Sequence, residues 1–292
     1  MARIAHLSDI HFGANDPNIV AATIDWLTEK RPDLVIISGD LTQRAREKQF
    51  QDAADYLGAL RQNGLPLLVI PGNHDVPLYD VFRRFASPLG RYKRYIAHDL
   101  CPWVETDEVA VLGINTARSL TIKDGRINEQ QMQLIRQRFN NVTPDKTRIL
   151  VTHHPLFALP IGRGNELGEA AGRHQDALQA INDAGIHISL AGHFHRTYAE
   201  AARKMVAAAG PTLVIQAGTA TSTRLRNQEP QSFNWLHVQP GNQMELQVIV
   251  WNGDEFRRAS HVGFVLEGDE WHSENLSTQP MTTDDPLTAD HR

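Results

Sequence analysis

Leu67-Leu68-Val69-Ile70-Pro71-Gly72-Asn73-His74-Asp75 is the stretch that shows most clearly how this 292-residue chain folds. Its continuous apolar run predicts a strand that is covered on both faces. Pro-Gly ends the run, and three adjacent polar side chains that can carry chemistry follow at once. In open α/β sheets, ligands bind in the crevice beyond the carboxyl ends of the strands, so these side chains would face such a crevice. A plain turn is the alternative, because Pro-Gly-Asn favours turns anywhere in a protein.

Strands and helices alternate before this stretch. Residues 3–8 and Leu34–Ile37 predict two earlier strands, and the second lacks alternation, as in a strand buried on both faces. Asp16 is the predicted N-cap of the helix between them, with Pro17 at its first position. A second helix is predicted at about residues 46–60. This β-α-β-α-β order is typical of a largely parallel sheet.

The alternation continues downstream. Strands are predicted at residues 109–115, 148–152 and 186–190, and helices lie between them. Asn128 is the predicted N-cap of one such helix, and Gln131 three residues later completes a capping box. The chain therefore continues as an α/β protein.

The last part of the chain changes character. Closely spaced strands at 213–216, 233–238 and 244–251 predict antiparallel pairing, and we expect them to complete the second of two sheets. Residues 1–270 are predicted to form the folded domain, which ends where a polar stretch begins. Residues 271–292 are predicted to form a disordered polar tail.

Residues 76–102 are rich in aromatic side chains and predict short helices in a lid-like connection. A lid, a dimer surface and part of the core remain alternatives for this segment. The oligomeric state stays open, and a homo-oligomer is compatible with the sequence.

Composition limits the classes of function. The formal net charge of −5 argues against a protein that binds the phosphate backbone of nucleic acid, so no nucleic acid polymer is expected as a partner. A single cysteine, Cys101, excludes an internal disulfide and fits a reducing compartment. No apolar run approaches the ~18 residues of a membrane span, and no signal peptide is visible. We therefore expect a cytoplasmic protein.

Five short motifs each follow an apolar strand, and each alone has an ordinary interpretation as a turn or a solvated side chain. They are Asp9-Ile10-His11, Gly39-Asp40, Gly72-Asn73-His74-Asp75, His153-His154 and Gly192-His193-Phe194-His195. Together they place carboxylate, amide and imidazole groups at one edge of a sheet. Such N/O donors, with one carboxylate shared, suit two borderline divalent ions. A structural zinc site would more often use cysteines.

These five motifs resemble those of the calcineurin-like metallophosphoesterases, and the resemblance covers roughly residues 1–225. It implies a four-layer αββα sandwich, in which two mixed β-sheets are flanked by helices, as an α/β (α+β) catalytic domain. It also implies two metal ions bridged by one carboxylate. The implied metal ligands are Asp9, His11, Asp40, Asn73, His153, His193 and His195.

For the ligand after the strand at 148–152, the neighbouring His154 is the alternative to His153. Iron, manganese and zinc all accept this donor set, so the identity of the ions stays open. Two such ions polarise phosphoryl oxygens, lower the pKa of a bridging water, and clamp an in-line displacement. The resemblance thus implies attack by a metal-bridging hydroxide.

Two further residues of the Asn73 motif have predicted catalytic roles. We expect His74 to stabilise the transition state and to protonate the leaving oxygen. Asp75 would orient His74 by a hydrogen bond, and capping of the following segment is an equally weighted alternative.

The opening residues 5–12, the His153-His154-Pro155 block and the late segment 218–226 are similar to the bacterial branch of cyclic-nucleotide and glycerophosphodiester phosphodiesterases. A small phosphodiester is therefore the expected substrate. Arg224 and Arg226 are candidate substrate-binding residues, because arginine suits phosphate oxygens, and bracing of the loop is the alternative.

Other functions remain as alternatives. A broad phosphomonoesterase is the second enzyme hypothesis. A nuclease is less favoured because the net charge is negative. A scaffold that binds partner proteins is less favoured because every ligand of the motif set is present.

Overall fold

The protein was studied as a computed structural model, which describes residues 1–120, 124–160, 167–168, 170–225, 229–239 and 243–276. Strands and helices alternate through most of it. In chain order they are β1 (Ala2–Leu7), α1 (Pro17–Lys30), β2 (Leu34–Ile37), α2 (Glu47–Gln62), β3 (Leu67–Val69), a 3₁₀ turn (Asn73–Asp75), α3 (Val81–Ala86), α4 (Gly90–Tyr95), β4 (Trp103–Glu105), β5 (Val109–Ile114), α5 (Glu129–Asn140), β6 (Thr147–Thr152), β7 (Leu159–Pro160), β8 (Leu167–Gly168), α6 (His174–Asp183), β9 (Ile188–Ala191), β10 (Tyr198–Ala201), α7 (Ala202–Met205), β11 (Leu213–Gln216), β12 (Ser232–Val238), β13 (Gln243–Trp251), β14 (Phe256–Glu267) and β15 (Glu270–Asn275).

Two mixed sheets form the centre of the molecule. The first has the strand order β15-β14-β13-β12-β1-β2-β3, and the second has the order β10-β11-β9-β6-β5-β4. In the first sheet, β1, β2 and β3 are parallel, while β12 to β15 pair antiparallel to one another and β12 pairs antiparallel to β1. In the second, β5, β6, β9 and β11 are parallel, and antiparallel strands close both edges.

Apolar side chains divide the molecule into four layers. Ile4 and Ile36 of the first sheet share a buried core with Ile149 of the second, so the two sheets pack face to face. On the outer faces, α1 and α2 cover the first sheet, while α5 and α6 cover the second. Each fully buried aliphatic side chain contributes about 1.5–3 kcal/mol relative to its exposed state. The predicted αββα sandwich is confirmed.

Local capping chemistry starts the helices where the sequence predicts. Asn18 donates its backbone N–H to Asp16 Oδ1 at 2.8 Å at the start of α1, and Pro17 occupies the first helical position. At α5, Gln131 donates its N–H to Asn128 Oδ1 at 2.9 Å, and Asn128 donates its N–H to Gln131 Oε1 at 3.0 Å. These caps satisfy backbone donors that the helix itself leaves open.

The segment 76–102 forms the short helices α3 and α4, as predicted. Tyr92 of α4 is fully buried and donates its hydroxyl to the Val69 carbonyl at 3.0 Å, so this part belongs to the core. Phe82 of α3, by contrast, is 84% exposed. The segment is therefore anchored at its second helix.

The late strands correct the predicted topology. Strands β12 and β13 extend the first sheet, where β12 pairs with β1; they do not complete the second sheet. Only β11 enters the second sheet, and it pairs parallel to β9 there. Pairing with β1 reflects a contact between the two ends of the chain, which local strand patterns do not specify.

The predicted domain boundary is too early. Residues 270–275 form β15, which pairs with β14, and Trp271 is 6% exposed. The remainder of the predicted tail, residues 277–292, lies outside the described residues. A helix of the length and apolarity that a membrane crossing requires is not found in the described part of the chain.

Candidate metal centre

The five motifs lie at one edge of the sandwich. Asp9, Asp40 and Asn73 follow the carboxyl ends of β1, β2 and β3, and His153 and His193 follow those of β6 and β9. Because these strands are parallel within each sheet, all five ends point to the same edge. The predicted convergence of the site therefore occurs.

Backbone conformation also distinguishes this edge. Positive φ angles are found at Asp9 (55°), His11 (55°), Asp40 (52°), His193 (80°) and His195 (56°). The left-handed region is unfavourable for residues with a Cβ, and strain of this kind concentrates at functional sites. All five are predicted metal ligands, so the strained loops and the proposed chemistry coincide.

One group of donors brings together Asp9, His11 and His195. His195 Nε2 lies 3.0 Å from Asp9 Oδ1 and 3.0 Å from His11 Nε2. His11 Nε2 is 3.5 Å from Asp9 Oδ1. Neighbouring ligands of an ion bound at about 2.1 Å lie about 3 Å apart, so this spacing fits a shared cation.

A second group brings together Asn73, His153 and His193. Asn73 Oδ1 lies 3.0 Å from His153 Nε2 and 3.1 Å from His193 Nδ1. His153 donates Nδ1–H to the Ser38 carbonyl at 2.8 Å, which leaves Nε2 to face the group. That arrangement fixes the tautomer that a ligating imidazole needs.

Asp40 lies between the two groups. Its Oδ2 is 3.8 Å from His11 Nε2 and 3.4 Å from His153 Nε2. Its Oδ1 accepts a hydrogen bond from the His74 backbone N–H at 2.8 Å, which orients the carboxylate. The position is the one that a bridging carboxylate would occupy.

The electrostatics of this edge favour positive charge. Burial raises the pKa of Asp9 and of Asp40, but the neighbouring imidazoles, His195 and His153 respectively, outweigh it and hold both carboxyls well below their usual range. Burial lowers the pKa of His153, yet the Asp40 carboxylate outweighs it and raises that pKa to about 9. Two buried carboxylates that favour positive charge on their neighbours therefore fit a site for divalent cations.

His74 lies beside the two groups with a defined orientation. Its Nδ1 is 2.8 Å from the Gln43 carbonyl oxygen, which can only accept, so Nδ1 carries the proton. Gln43 Nε2 also approaches Nδ1, at the longer distance of 3.2 Å. His74 Nε2 then points toward Asp40 Oδ2, 4.0 Å away, and the side chain is 34% exposed. A substrate at the edge can reach this nitrogen.

The Asp75 side chain contacts the backbone of two neighbouring loops. The Asp75 carboxylate accepts backbone N–H bonds from Leu41 (3.2 Å), Thr42 (2.9 Å) and Gly72 (2.9 Å), and the His74 ring is oriented by Gln43 instead. Asp75 therefore ties the Asp40 loop to the Asn73 loop, and its bond to Gly72 caps the 3₁₀ turn Asn73–Asp75 to which it belongs, not the following segment. Burial, together with the Asp40 charge, raises the pKa of Asp75 to about 6.

The contacts separate His153 from His154. His153 reaches Asp40 and Asn73, as described above, whereas His154 Nδ1 lies 2.8 Å from Thr116 Oγ1. The ring of His154 packs 4.6 Å from that of His193, centroid to centroid. These contacts favour His153 as the ligand, and His154, which offers a ring nitrogen within 4.8 Å of those of His153 and His193, stays the alternative.

The late segment with the candidate arginines runs beside the Asp9 loop. The Arg224 side chain is exposed, and its backbone carbonyl accepts a hydrogen bond from His195 Nδ1 at 3.4 Å. Arg226 lies outside the described residues. Sequence analysis missed the contacts of Thr219 and Thr221, whose hydroxyls donate to the carbonyls of the Asp9 loop. Alternating threonines directly after a strand were the available signal.

Residues 2–197 match the sequence model of the family described as Calcineurin-like phosphoesterase. The chain belongs to the calcineurin-like phosphoesterase family. Calcineurin-like phosphoesterases use a dinuclear metal centre, and the clustered His and Asp side chains fit one. The family resemblance that the five motifs predicted is therefore confirmed.

Relatives within this family carry different names. A glycerophosphodiester phosphodiesterase, GpdQ of Enterobacter lignolyticus, is 39% identical over 84 residues, which span 25% of this chain and 29% of the relative. A probable cyclic nucleotide phosphodiesterase of Synechococcus is 23% identical over 67% of this chain and 74% of the relative. The DNA double-strand break repair protein Mre11 of Methanococcus maripaludis is 26% identical over 65% of this chain and 56% of the relative. The chain spans less than two thirds of the length of two of these three relatives.

The purple acid phosphatase PPD1 from yellow lupin has the same fold. Its structure superposes with a TM-score of 0.65 at 14% sequence identity, covering 97% of this chain and 57% of that chain. This structural likeness confirms the sandwich architecture of the calcineurin-like phosphoesterase.

Proposed function

We propose that this chain is a dinuclear-metal phosphodiesterase that hydrolyses small phosphate diesters, of the cyclic-nucleotide or glycerophosphodiester class. The position of Asp40 between two groups of N and O donors is the observation that carries the proposal. Asp9, His11 and His195 would hold one ion, and Asn73, His153 and His193 would hold the other. Asp40 would contact both.

The charge of such a centre suits a diester. Asp9 and Asp40 supply two negative charges, so two divalent ions leave the centre net positive toward a phosphate group. Bound ions would polarise the phosphoryl oxygens and lower the pKa of a water for in-line attack. Manganese, iron and zinc are all compatible with the donor set.

His74 is the proposed general acid. Donation of Nδ1–H to the Gln43 carbonyl holds the ring so that Nε2 faces the centre. In the protonated imidazole, Nε2 carries the second proton, which it can transfer to the leaving oxygen of the ester. Transfer would leave the neutral tautomer that the Gln43 contact already stabilises.

Arg224 is the proposed substrate-binding residue. Its side chain is exposed and its backbone carbonyl contacts His195, which supports a role for the guanidinium beside the centre. A guanidinium there would pair with a diester oxygen that the ions do not contact. Arg226 remains a second candidate.

Hydrolysis of a substrate panel after manganese loading tests the proposal. The panel contains cyclic AMP, glycerophosphocholine, bis-nitrophenyl phosphate and nitrophenyl phosphate, with Asn73→Ala as the inactive control. Turnover of the diesters with slow turnover of the monoester supports the proposal, and the preferred diester identifies the class. Cleavage of the monoester alone would overturn it.

A nuclease is the second candidate function. The match to an Mre11 protein, which covers 65% of this chain, favours it. The formal net charge of −5 weighs against a long contact with a phosphate backbone. A single-stranded oligonucleotide added to the same panel distinguishes the two, because only a nuclease would cleave it faster than the small diesters.

A further inference from the structure

We infer that residues 219–224 act as a positioning segment for one of the two proposed ions, with Thr219 and Thr221 holding the Asp9–His11 loop in its strained conformation. The inference rests on the proposed function. Thr219 and Thr221 lie beyond residues 2–197, which match the family model, and they are not among the predicted metal ligands.

The loop that carries Asp9 and His11 is held on one side by the neighbouring Asp40 loop. Asp9 donates its backbone N–H to the Gly39 carbonyl at 3.1 Å, and His11 donates its N–H to the Asp40 carbonyl at 3.0 Å. These bonds continue the parallel pairing of β1 with β2 past the ends of both strands. They fix the N–H groups of the loop and leave its carbonyls to other partners.

The carbonyls on the other side are satisfied by the segment 219–224. Thr219 donates its hydroxyl to the Asp9 carbonyl at 2.7 Å, and Thr221 donates its hydroxyl to the Ile10 carbonyl at 2.8 Å. Between them, Ala220 donates its backbone N–H to the Ser8 carbonyl at 3.0 Å. Thr219 is 1% exposed and Thr221 is fully buried, so water does not replace these donors in the folded protein.

Backbone geometry explains why hydroxyls are used. Asp9 and His11 both have φ of 55°, so the loop departs from extended geometry and its carbonyls no longer follow a regular ladder. A threonine hydroxyl reaches farther from the main chain than an N–H and can follow such a turn. Loss of a hydroxyl would leave a buried carbonyl unsatisfied next to a strained residue.

The same segment also contacts the third ligand of this ion. His195 donates Nδ1–H to the Arg224 carbonyl at 3.4 Å, which directs Nε2 toward Asp9 and His11. Residues 219–224 therefore support Asp9, His11 and His195 together. In the group formed by Asn73, His153 and His193, the Ser38 carbonyl supports His153, and the group meets the Asp9 loop through the His193 backbone N–H, which donates to Asp9 Oδ2 at 2.9 Å.

This asymmetry predicts a selective effect. Removal of groups that orient metal ligands typically lowers metal affinity 10- to 100-fold. Loss of the two hydroxyls should weaken the ion at Asp9, His11 and His195 by about that factor. The ion at Asn73 and His153 should change by less than about threefold, because its own supports remain.

The test compares the double variant Thr219→Val/Thr221→Val with wild type by calorimetric titration of the metal-free protein with Mn²⁺. Valine has the shape of threonine without its hydroxyl. Thr212→Val is the matched control, since the buried Thr212 lies outside the segment and donates its hydroxyl to the Ile186 carbonyl at 2.8 Å. Thr219→Ser/Thr221→Ser keeps both hydroxyls and should restore wild-type binding.

We expect two binding events for wild type, Thr212→Val and the serine variant, and one of the two weakened at least tenfold in the double valine variant. Anomalous diffraction at low Mn²⁺ should then show the peak beside His11 and His195 depleted, with the peak beside Asn73 retained. If the double variant does not fold, Thr219→Val and Thr221→Val separately carry the same comparison.

Wild-type affinity for both ions in the valine variants would overturn the inference and leave the proposed function intact. Equal weakening of both ions would also overturn it, because a merely structural loss would not distinguish them. A wild-type protein that binds fewer than two ions would overturn the proposed function itself.

Discussion

The first sheet has a parallel half, β1 to β3, and an antiparallel half, β12 to β15, and only the parallel half supplies ligands to the candidate centre. Backbone hydrogen bonding is similar in both halves. Parallel strands, however, bring all their carboxyl ends to one edge, whereas antiparallel strands alternate. Parallel strand direction therefore brings the candidate metal ligands to one edge of the sheet. The antiparallel half contributes mainly to the stability of the fold.

Asp40→Asn should have the largest effect, because this carboxylate lies between the two donor groups. We expect kcat/KM for a diester to fall at least about 10³-fold, corresponding to several kcal/mol of lost transition-state stabilisation, together with loss of bound metal. Asp33→Asn is the matched control, since this carboxylate pairs with Arg3 at the surface and should leave kcat/KM unchanged. Full activity of Asp40→Asn would remove the bridging role.

His74→Ala should have the next largest effect, and the size should depend on the leaving group. For a diester with an alkoxide leaving group we expect kcat to fall about 10²- to 10⁴-fold, because the general acid is lost. A nitrophenolate leaves without protonation, so bis-nitrophenyl phosphate should lose roughly tenfold or less. Steady-state kinetics on both esters measure this. Equal losses would contradict the general-acid role.

Trp271→Ala tests the antiparallel half. Trp271 is 6% exposed and donates its indole N–H to the Pro211 carbonyl at 3.1 Å. Truncation of a buried tryptophan typically lowers the free energy of unfolding by about 3–5 kcal/mol. We expect that loss in denaturant unfolding, with kcat/KM at 25 °C unchanged. Trp271→Phe keeps most of the apolar area and should cost about 1–2 kcal/mol. A large fall in kcat/KM for folded Trp271→Ala would contradict the division between the halves.

Glu245→Gln should have the smallest effect. Hydrogen bonds from His237 and His261 outweigh burial and lower the pKa of Glu245 to about 2 from its usual 4.5. A lowered folded-state pKa stabilises the fold above about pH 4.5, and that stabilisation is lost as the pH falls toward 2. The melting temperature of Glu245→Gln should therefore lie slightly below wild type at pH 7, and the gap should narrow below pH 4.5 and close near pH 2. A gap that widens at acid pH would contradict this assignment.

Local signals in the sequence predicted much of this molecule. Asp16 and Asn128 cap helices through side chains that contact residues two or three positions away, so their roles depend on short-range chemistry. The ligand candidates were predicted for a similar reason, because each directly follows an apolar strand. The common edge then follows from parallel pairing.

Long-range contacts were not predicted. Gln43 lies 31 positions from His74 in sequence, and only the folded loops bring its carbonyl to the imidazole. The pairing of β12 with β1 joins residues at opposite ends of the chain. Strand β14 was not predicted because it carries many polar side chains, such as Arg257 and Arg258. It is buried mainly at Phe256 and Phe264.

Anomalous diffraction from crystals loaded with Mn²⁺ tests the two-ion centre most directly. We expect two manganese peaks per chain, one among Asp9, His11 and His195 and one among Asn73, His153 and His193. Asp40 should lie within bonding distance of both. A single peak, or two peaks that do not share Asp40, would contradict the proposed centre.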